Sequence, residues 1–389
     1  MVVGLVHGLG GVENQFVRAD ELHGALRGRD LFHSVLPFKI IGPVRLRFGI
    51  RQRPGKETTV FHFRFNSIPL AGRGKTVSCF SFVSGAAFGK TPVSKMWKST
   101  METIAILGTG LMGASLGLAL KRRGVPVRIH AYARRAETRE AAVRLGATDV
   151  AFADPAEAVR GAGRVVFCLP VLTIPAVAAA CRAGLCSGAV LTDVGSTKAA
   201  LVRQMAVALE GAPVEFVGSH PICGSEQQGL EAGRTDLYEG AMTVVTPSAG
   251  STASAVEAVS TLWKQVGARV TVMDADEHDR ILATTSHLPH AAAAAVVLSA
   301  GDNGLFCGSG FRDTTRIAAG SPEVWRDIFL TNRQPVLTAL EACRRELDRL
   351  TVLLERNDAV GIEAWLAQAA AVRRALLECS GRNKNDETF

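Results

Sequence analysis

The chain has 389 residues, 47% of them hydrophobic, which is enough for two or three domains with sizeable cores. Its net charge of +8 is confined to the first hundred residues, where 15 Lys+Arg stand against 5 Asp+Glu, leaving 29 against 31 for the rest. That division removes any nucleic-acid footprint from the larger part of the chain. Eight cysteines without a CxxC pair read as reduced thiols, and no apolar run reaches the ~18 to 20 residues of a membrane span.

Residues 1–100 carry 10 of the 17 phenylalanines, but aromatic and basic residues alternate without a sustained helical or strand period. No motif emerges, and the segment is expected to carry no fold. It reads as translated sequence upstream of a start at Met101, with a targeting segment or a small extra domain as the other readings. The expected location is cytoplasmic, or a plastid if the segment is a transit peptide.

A short apolar run at residues 104–107 reads as a buried strand. Gly108, Gly110 and Gly113 follow in GxGxxG spacing, with Leu111 and Met112 opening a helical pattern that runs to about residue 121. Between a strand and a helix these glycines suit a dinucleotide: one turns the chain, one lets backbone approach a pyrophosphate, and one packs the helix on the sheet. The N–H groups at the helix start then face an anion. A second strand is expected at 127–133. Where such folds place an Asp or Glu for the ribose 2′-hydroxyl, this chain has Ala133 followed by Arg134 and Arg135, so NADP is favoured over NAD. The alternative is that both arginines begin a solvated helix.

Further strands at 164–169 and 189–194, alternating with helices at 137–145 and 174–182, argue a Rossmann-like, doubly wound parallel sheet. The loop DVGSTK at 193–198 leaves the last of them. Next, FVGSHPICGSE delivers His220 from a strand end to a Pro- and Gly-rich loop, and a short strand is expected at 242–246. From there the pattern is helical. An amphipathic helix is expected at 253–266, then TSHLPH, where Ser286 reads as an N-cap with Pro289 in the first turn. His287 and His290 lack the companions of a zinc site. A Gly-rich loop at 308–325 carries Arg312, Asp313 and Arg316, and two long helices at 335–355 and 359–378 show apolar stripes of core or subunit-interface kind. The domains are therefore expected at 101–250 for the dinucleotide fold and 251–380 for a helical part, with a tail at 381–389.

GTGLMGASLGLAL, DVGSTK, SHPICGSEQQG, TSHLPH and GFRDTTRIA, in that order, resemble the prephenate and arogenate dehydrogenases of tyrosine biosynthesis over residues 102–378. The resemblance implies an NAD(P) domain followed by a helical domain that pairs two subunits, and oxidative decarboxylation of prephenate or arogenate to 4-hydroxyphenylpyruvate or tyrosine. It implies that His220 accepts the 4-hydroxyl proton and that Ser196 hydrogen-bonds this histidine beside the nicotinamide. Arg316 would hold the side-chain carboxylate, and His290 and Ser286 would line the pocket. Ser225, Glu226 and Asp313 would order its entrance, although Asp313 reads equally well as a helix N-cap. Two competing functions are a β-hydroxyacid dehydrogenase or imine reductase, which typically lacks the two histidine motifs, and a catalytically silent NADP-binding sensor. Neither needs a nucleic-acid or membrane partner.

Overall fold

The computed structural model describes residues 46–52, 59–69, 76–84, 102–224 and 227–382, distributed over two compact units that divide between Ser99 and Thr100. In the first unit β1 (Leu46–Gln52), β2 (Thr59–Pro69) and β3 (Thr76–Ser84) form an antiparallel sheet in the order β1-β2-β3, with Phe63 in register with Phe48 and with Phe80. This corrects the expectation of no fold. Phe recurs at every second position, at 61, 63 and 65 and again at 80 and 82, but each run is too short to stand out against the basic residues around it.

The second unit begins with β4 (Glu102–Leu107), α1 (Leu111–Arg122), β5 (Val127–Tyr132), α2 (Ala136–Arg144), β6 (Val150–Phe152), the single turn α3 (Pro155–Ala158), β7 (Arg164–Phe167), α4 (Ile174–Cys181), β8 (Val190–Asp193), α5 (Ala199–Ala208) and β9 (Glu215–Phe216). The sheet order is β6-β5-β4-β7-β8-β9 and every pairing is parallel. Strand order therefore reverses between β4 and β7, the switch point where such sheets bind ligands. Alternation along β4 builds both layers. Ile104 and Ile106 pack with Leu116 and Leu120 of α1, whereas Ala105 and Leu107 pack with Phe167, Ile174 and Leu191.

A second sheet follows: β10 (Gly218–Pro221) runs antiparallel to β11 (Met242–Thr246), which pairs in parallel with β12 (Arg269–Val272). Between β11 and β12 lies α6 (Ala253–Gln265), whose Val259, Leu262 and Trp263 are buried in the same cluster as Ile104. The dinucleotide fold thus runs on to about residue 272 and not to 250. The amphipathic face of α6 is apolar because it covers the parallel sheet, not because it belongs to a separate bundle.

The helical part consists of α7 (Ala275–Leu282), α8 (Leu288–Ala300), α9 (Ser309–Thr315), α10 (Pro322–Thr331), α11 (Arg333–Glu355) and α12 (Ala359–Arg382). A π-helical turn, Ala283–His287, joins α7 to α8 without a break, so Ser286 sits inside a continuous helix and caps nothing. Pro289 supplies the cause. A proline ring collides with the carbonyl four residues back and offers no N–H, and a π turn accommodates both defects. The helix from Ala275 to Ala300 is long and apolar enough to cross a membrane by length and composition alone, yet it carries the buried His278, Asp279, His287 and His290. The stretch expected to be a loop at 308–325 is α9, a 3-10 turn Arg316–Ala319, and the start of α10, where Ser321 Oγ accepts from Val324 N and Pro322 takes the first turn. Asp313 lies within α9, whose cap is Gly308, which corrects the N-cap reading.

Candidate active site

The glycine loop leaves β4 at the switch point. Gly108 has φ +107, and a Cβ there would lie 2.3 Å from the Cys168 carbonyl oxygen after β7, so only glycine fits. A Cβ on Gly113 would lie 1.9 Å from the Gly108 carbonyl oxygen, which is how closely α1 approaches the loop. Above Gly110 nothing lies within 4 Å. Gly110 caps α1 without any side-chain hydrogen bond, and the first turn, opened by Leu111 and Met112, holds no acidic residue. The N–H groups of that turn are therefore available to an anion. This cradle fits a dinucleotide pyrophosphate. Two substitutions separate fit from fold. Gly113→Ala should lower unfolding free energy by about 1–3 kcal/mol or more through overpacking. Gly110→Ala should change it by no more than about 1 kcal/mol while weakening cofactor binding, because its methyl group enters the open cradle. Denaturation and cofactor titration of both variants check this.

At the end of β5, Ala133 is buried and Arg134 and Arg135 are exposed, with Arg135 at the N-cap of α2. The Arg139 guanidinium donates to the carbonyls of Ala133 at 3.0 Å and Arg134 at 2.8 Å and pins this corner. Arg139 escaped the sequence reading because it looks like one more charge on a solvated helix.

His220 sits on β10 and is only 7% exposed. Its Nδ1 lies 2.9 Å from Nε2 of His278 on α7, while its Nε2 makes no hydrogen bond among the described residues. His278 Nδ1 in turn donates to Asp279 Oδ1 at 2.8 Å. The Asp279 carboxylate also accepts from the backbone N–H groups of Lys198 at 2.8 Å and Ala199 at 2.9 Å, where α5 starts. Burial, the neighbouring His278, the Lys198 ammonium and His287 together hold His220 well below the usual histidine range, so it is neutral at neutral pH.

Behind His220 lies a fully buried ion pair between Lys198 and Asp193. Asp193 Oδ1 accepts from Ser219 N at 3.0 Å, and Lys198 Nζ donates to Ser219 O at 2.9 Å, so both sides of the residue before His220 are held. Ser219 Oγ adds bonds to the Asp193 carbonyl at 2.6 Å and, as acceptor, from Trp263 Nε1 at 2.9 Å. Burial pushes the Lys198 ammonium down from the usual lysine range, against the opposing pull of Asp193.

The other expected residues divide. His290 is buried and stacks on Trp325 with ring centroids 3.5 Å apart, and burial lowers its pKa. His287 is also buried, with Nδ1 accepting from Asn332 Nδ2 at 3.0 Å, and burial drives it down to about 4. Arg316 is exposed on the 3-10 turn, whose following Gly320 leaves room for Trp325 and His290. Ser286 is half-buried, and Asp313 and Arg312 are exposed. Ser196 is half-buried on the loop after β8, and no hydrogen bond joins it to His220 among the described residues, where His278 holds Nδ1. Ser225 and Glu226 lie outside the described residues.

Residues 116–272 match the family model described as prephenate dehydrogenase, nucleotide-binding domain, and residues 274–368 that described as prephenate dehydrogenase, dimerization domain. The chain is 31% identical over 286 residues to the cyclohexadienyl dehydrogenase of Zymomonas mobilis, covering 72% of this chain and 97% of the relative. The chain belongs to the prephenate dehydrogenase family. Among solved structures of that family, prephenate dehydrogenase from Aquifex aeolicus, in complex with hydroxyphenyl propionate and NAD+, superposes with a TM-score of 0.67 at 32% identity, covering 72% of this chain and 99% of that one. Synechocystis arogenate dehydrogenase gives 0.61 at 28%, covering 70% and 99%. Membership makes the chain an NAD(P)-dependent oxidoreductase, and the boundary between the two family domains at residue 273 falls where β12 ends and α7 is about to begin.

Proposed function

We propose that the chain binds the ring of prephenate or arogenate at the end of the sheet, with His220 Nε2 accepting the proton of the 4-hydroxyl. NAD(P), its pyrophosphate held at the glycine loop 108–113, would supply the acceptor for the hydride of the carbinol carbon, and loss of the ring carboxylate as carbon dioxide with aromatisation would drive the reaction. The observation that carries this reading is His220 itself. It is a buried, neutral imidazole with one nitrogen held by His278 and the other unbonded among the described residues, which is what a general base for a hydroxyl requires. Ser196, on the loop that leaves β8, would lie beside the nicotinamide. Arg316 would hold the side-chain carboxylate bidentately, and its turn adjoins His290, which with Ser286 would line the pocket. Exposed apolar residues along α11 and α12, among them Leu347, Leu354, Leu366 and Leu376, suit the helical dimer interface that the second family model's description names.

The test is purified protein with NADP or NAD and either prephenate or arogenate, followed by the absorbance of reduced cofactor. Turnover of one or both is expected, and none with either would overturn the reading. Arg316→Ala should raise the substrate KM by about 10- to 100-fold with a smaller effect on kcat, the loss of one charge-assisted contact of about 1.5–3 kcal/mol. An unaltered KM would remove Arg316 from the pocket.

NADP is the favoured cofactor. Ala133 offers no carboxylate to a ribose 2′-hydroxyl, and Arg134 and Arg135 stand exposed beside it. Ala133→Asp should shift the ratio of kcat/KM for NADP over NAD toward NAD by about tenfold or more, since a carboxylate there repels the phosphate and bonds the hydroxyl. A titration showing no shift would refute the preference.

A further inference from the structure

The base is the end of a chain of groups that crosses from the nucleotide domain to the helical one. Asp279 receives three N–H groups: Lys198 N and His278 Nδ1 on Oδ1, and Ala199 N on Oδ2. An ionised carboxylate only accepts, so Nδ1 of His278 carries a proton. Its Nε2 then holds a lone pair, and the 2.9 Å contact to His220 can be made only by an N–H on His220 Nδ1. The opposite polarity would require a doubly protonated His278. That cation would be fully buried in a site that already holds the Lys198 ammonium, with Asp279 the only carboxylate bonded to it among the described residues.

We infer that His278 and Asp279 are positioning residues that set the tautomer of His220, leaving the lone pair of its Nε2 toward the substrate hydroxyl. The inference rests on the reading of His220 as the base. When the hydroxyl O–H bond breaks and the Nε2–H bond forms, the imidazolium keeps its Nδ1–H on His278, and the Asp279 carboxylate lies behind. Neither residue touches the substrate. Among the described residues, Lys198, from the loop before α5, and His287, from the π turn, are the other titratable groups that face His220. Both act against its protonation. Asp279 has a second duty. By accepting two backbone N–H groups at the start of α5 it ties the first helix of the helical part to the loop that carries Ser196.

Asp279→Asn would strip an acceptor from the α5 terminus as well as from His278, so the decisive variants are His278→Leu and His278→Gln. Leu cannot accept a hydrogen bond, whereas the Gln carbonyl can take the Nδ1–H of His220. In wild-type enzyme labelled with 15N at histidine, long-range proton–nitrogen spectra should show His220 protonated at Nδ1 and bare at Nε2. In His278→Leu the ring should become a mixture of tautomers, and kcat should fall by at least about tenfold with KM little changed. His278→Gln should restore the tautomer and most of kcat, a rescue that a merely space-filling role would not show. A wild-type His220 protonated at Nε2, or a Leu variant with unaltered tautomer and kcat, would overturn the inference. The spectra need no substrate, so they stand apart from the turnover of a His220 variant, which tests the base itself.

Discussion

Replacing His220 with Asn should lower kcat by about 10²- to 10⁴-fold, the usual worth of a positioned general base, while leaving NAD(P) affinity unchanged. Asn is close in size to the near half of an imidazole and can still donate to His278, so β10 should hold its place. What it lacks is a basic nitrogen. The cofactor cradle lies at Gly108, Gly110 and Gly113, on the loop after β4, and His220 forms no part of it. A cofactor titration alongside the turnover assay separates the two effects, and turnover within tenfold of wild type would mean that another group takes the proton. The wild-type pH profile carries the same argument. Burial first, then His278, Lys198 and His287, all push the His220 pKa down. The acid limb of kcat/KM should therefore fall below pH 6.5, the ordinary histidine value, because the base stays unprotonated as pH drops through that point.

The two halves of this site differ in how plainly the sequence carries them. The nucleotide fold is legible because its signals are local: an apolar run, three glycines and a helical pattern lie within twenty residues, with Gly108 and Gly113 answering to close contacts and Gly110 to an open cradle. His220 is legible through its place in the SHPICG motif, but not its surroundings: the loop read from Pro and Gly is strand β10, which buries the ring. His278 and Asp279 are not legible as a pair with His220. They lie 58 and 59 residues further along, and the tertiary fold alone brings them together. A signal was nevertheless present. The buried face of α7 runs Ala275, His278, Asp279, Leu282, so a histidine and a carboxylate occupy the stripe positions where apolar residues belong. Polar groups on a buried stripe need partners, and that need points to a second element. Trp325, which stacks on His290, was hidden for another reason. Ser321 and Pro322 open a new helix inside a stretch whose glycines read as loop.

The position of β12 makes the same point about boundaries. A four-residue strand after an amphipathic helix carries too few residues to show a period, so residues 253–272 look like the start of a helical domain. Parallel pairing of β12 with β11, and the burial of Trp263 beside Ile104, return them to the nucleotide fold. That placement brings Trp263 Nε1 to Ser219, one residue from the base.

Lys198→Met should lower the unfolding free energy by about 3–5 kcal/mol, the cost of breaking one side of a buried ion pair. Both side chains are fully buried, and removing the ammonium leaves the Asp193 carboxylate, among the described residues, with only the N–H groups of Gly195 and Ser219. The intact pair is not by itself a large source of stability, since the desolvation of two charges cancels much of their attraction. The loss comes from the charge left behind. For that reason Asp193→Asn combined with Lys198→Met should recover a substantial part of the deficit, and the two effects should not add. Activity should fall with either single change even where the protein remains folded, because Asp193 and Lys198 hold the two sides of the Ser219 residue and Ser219 precedes His220. Chemical denaturation of the single and double variants measures this. A Lys198→Met protein within about 1 kcal/mol of wild type would mean that Asp193 is satisfied without its partner, and that the strand carrying His220 is held by the sheet alone.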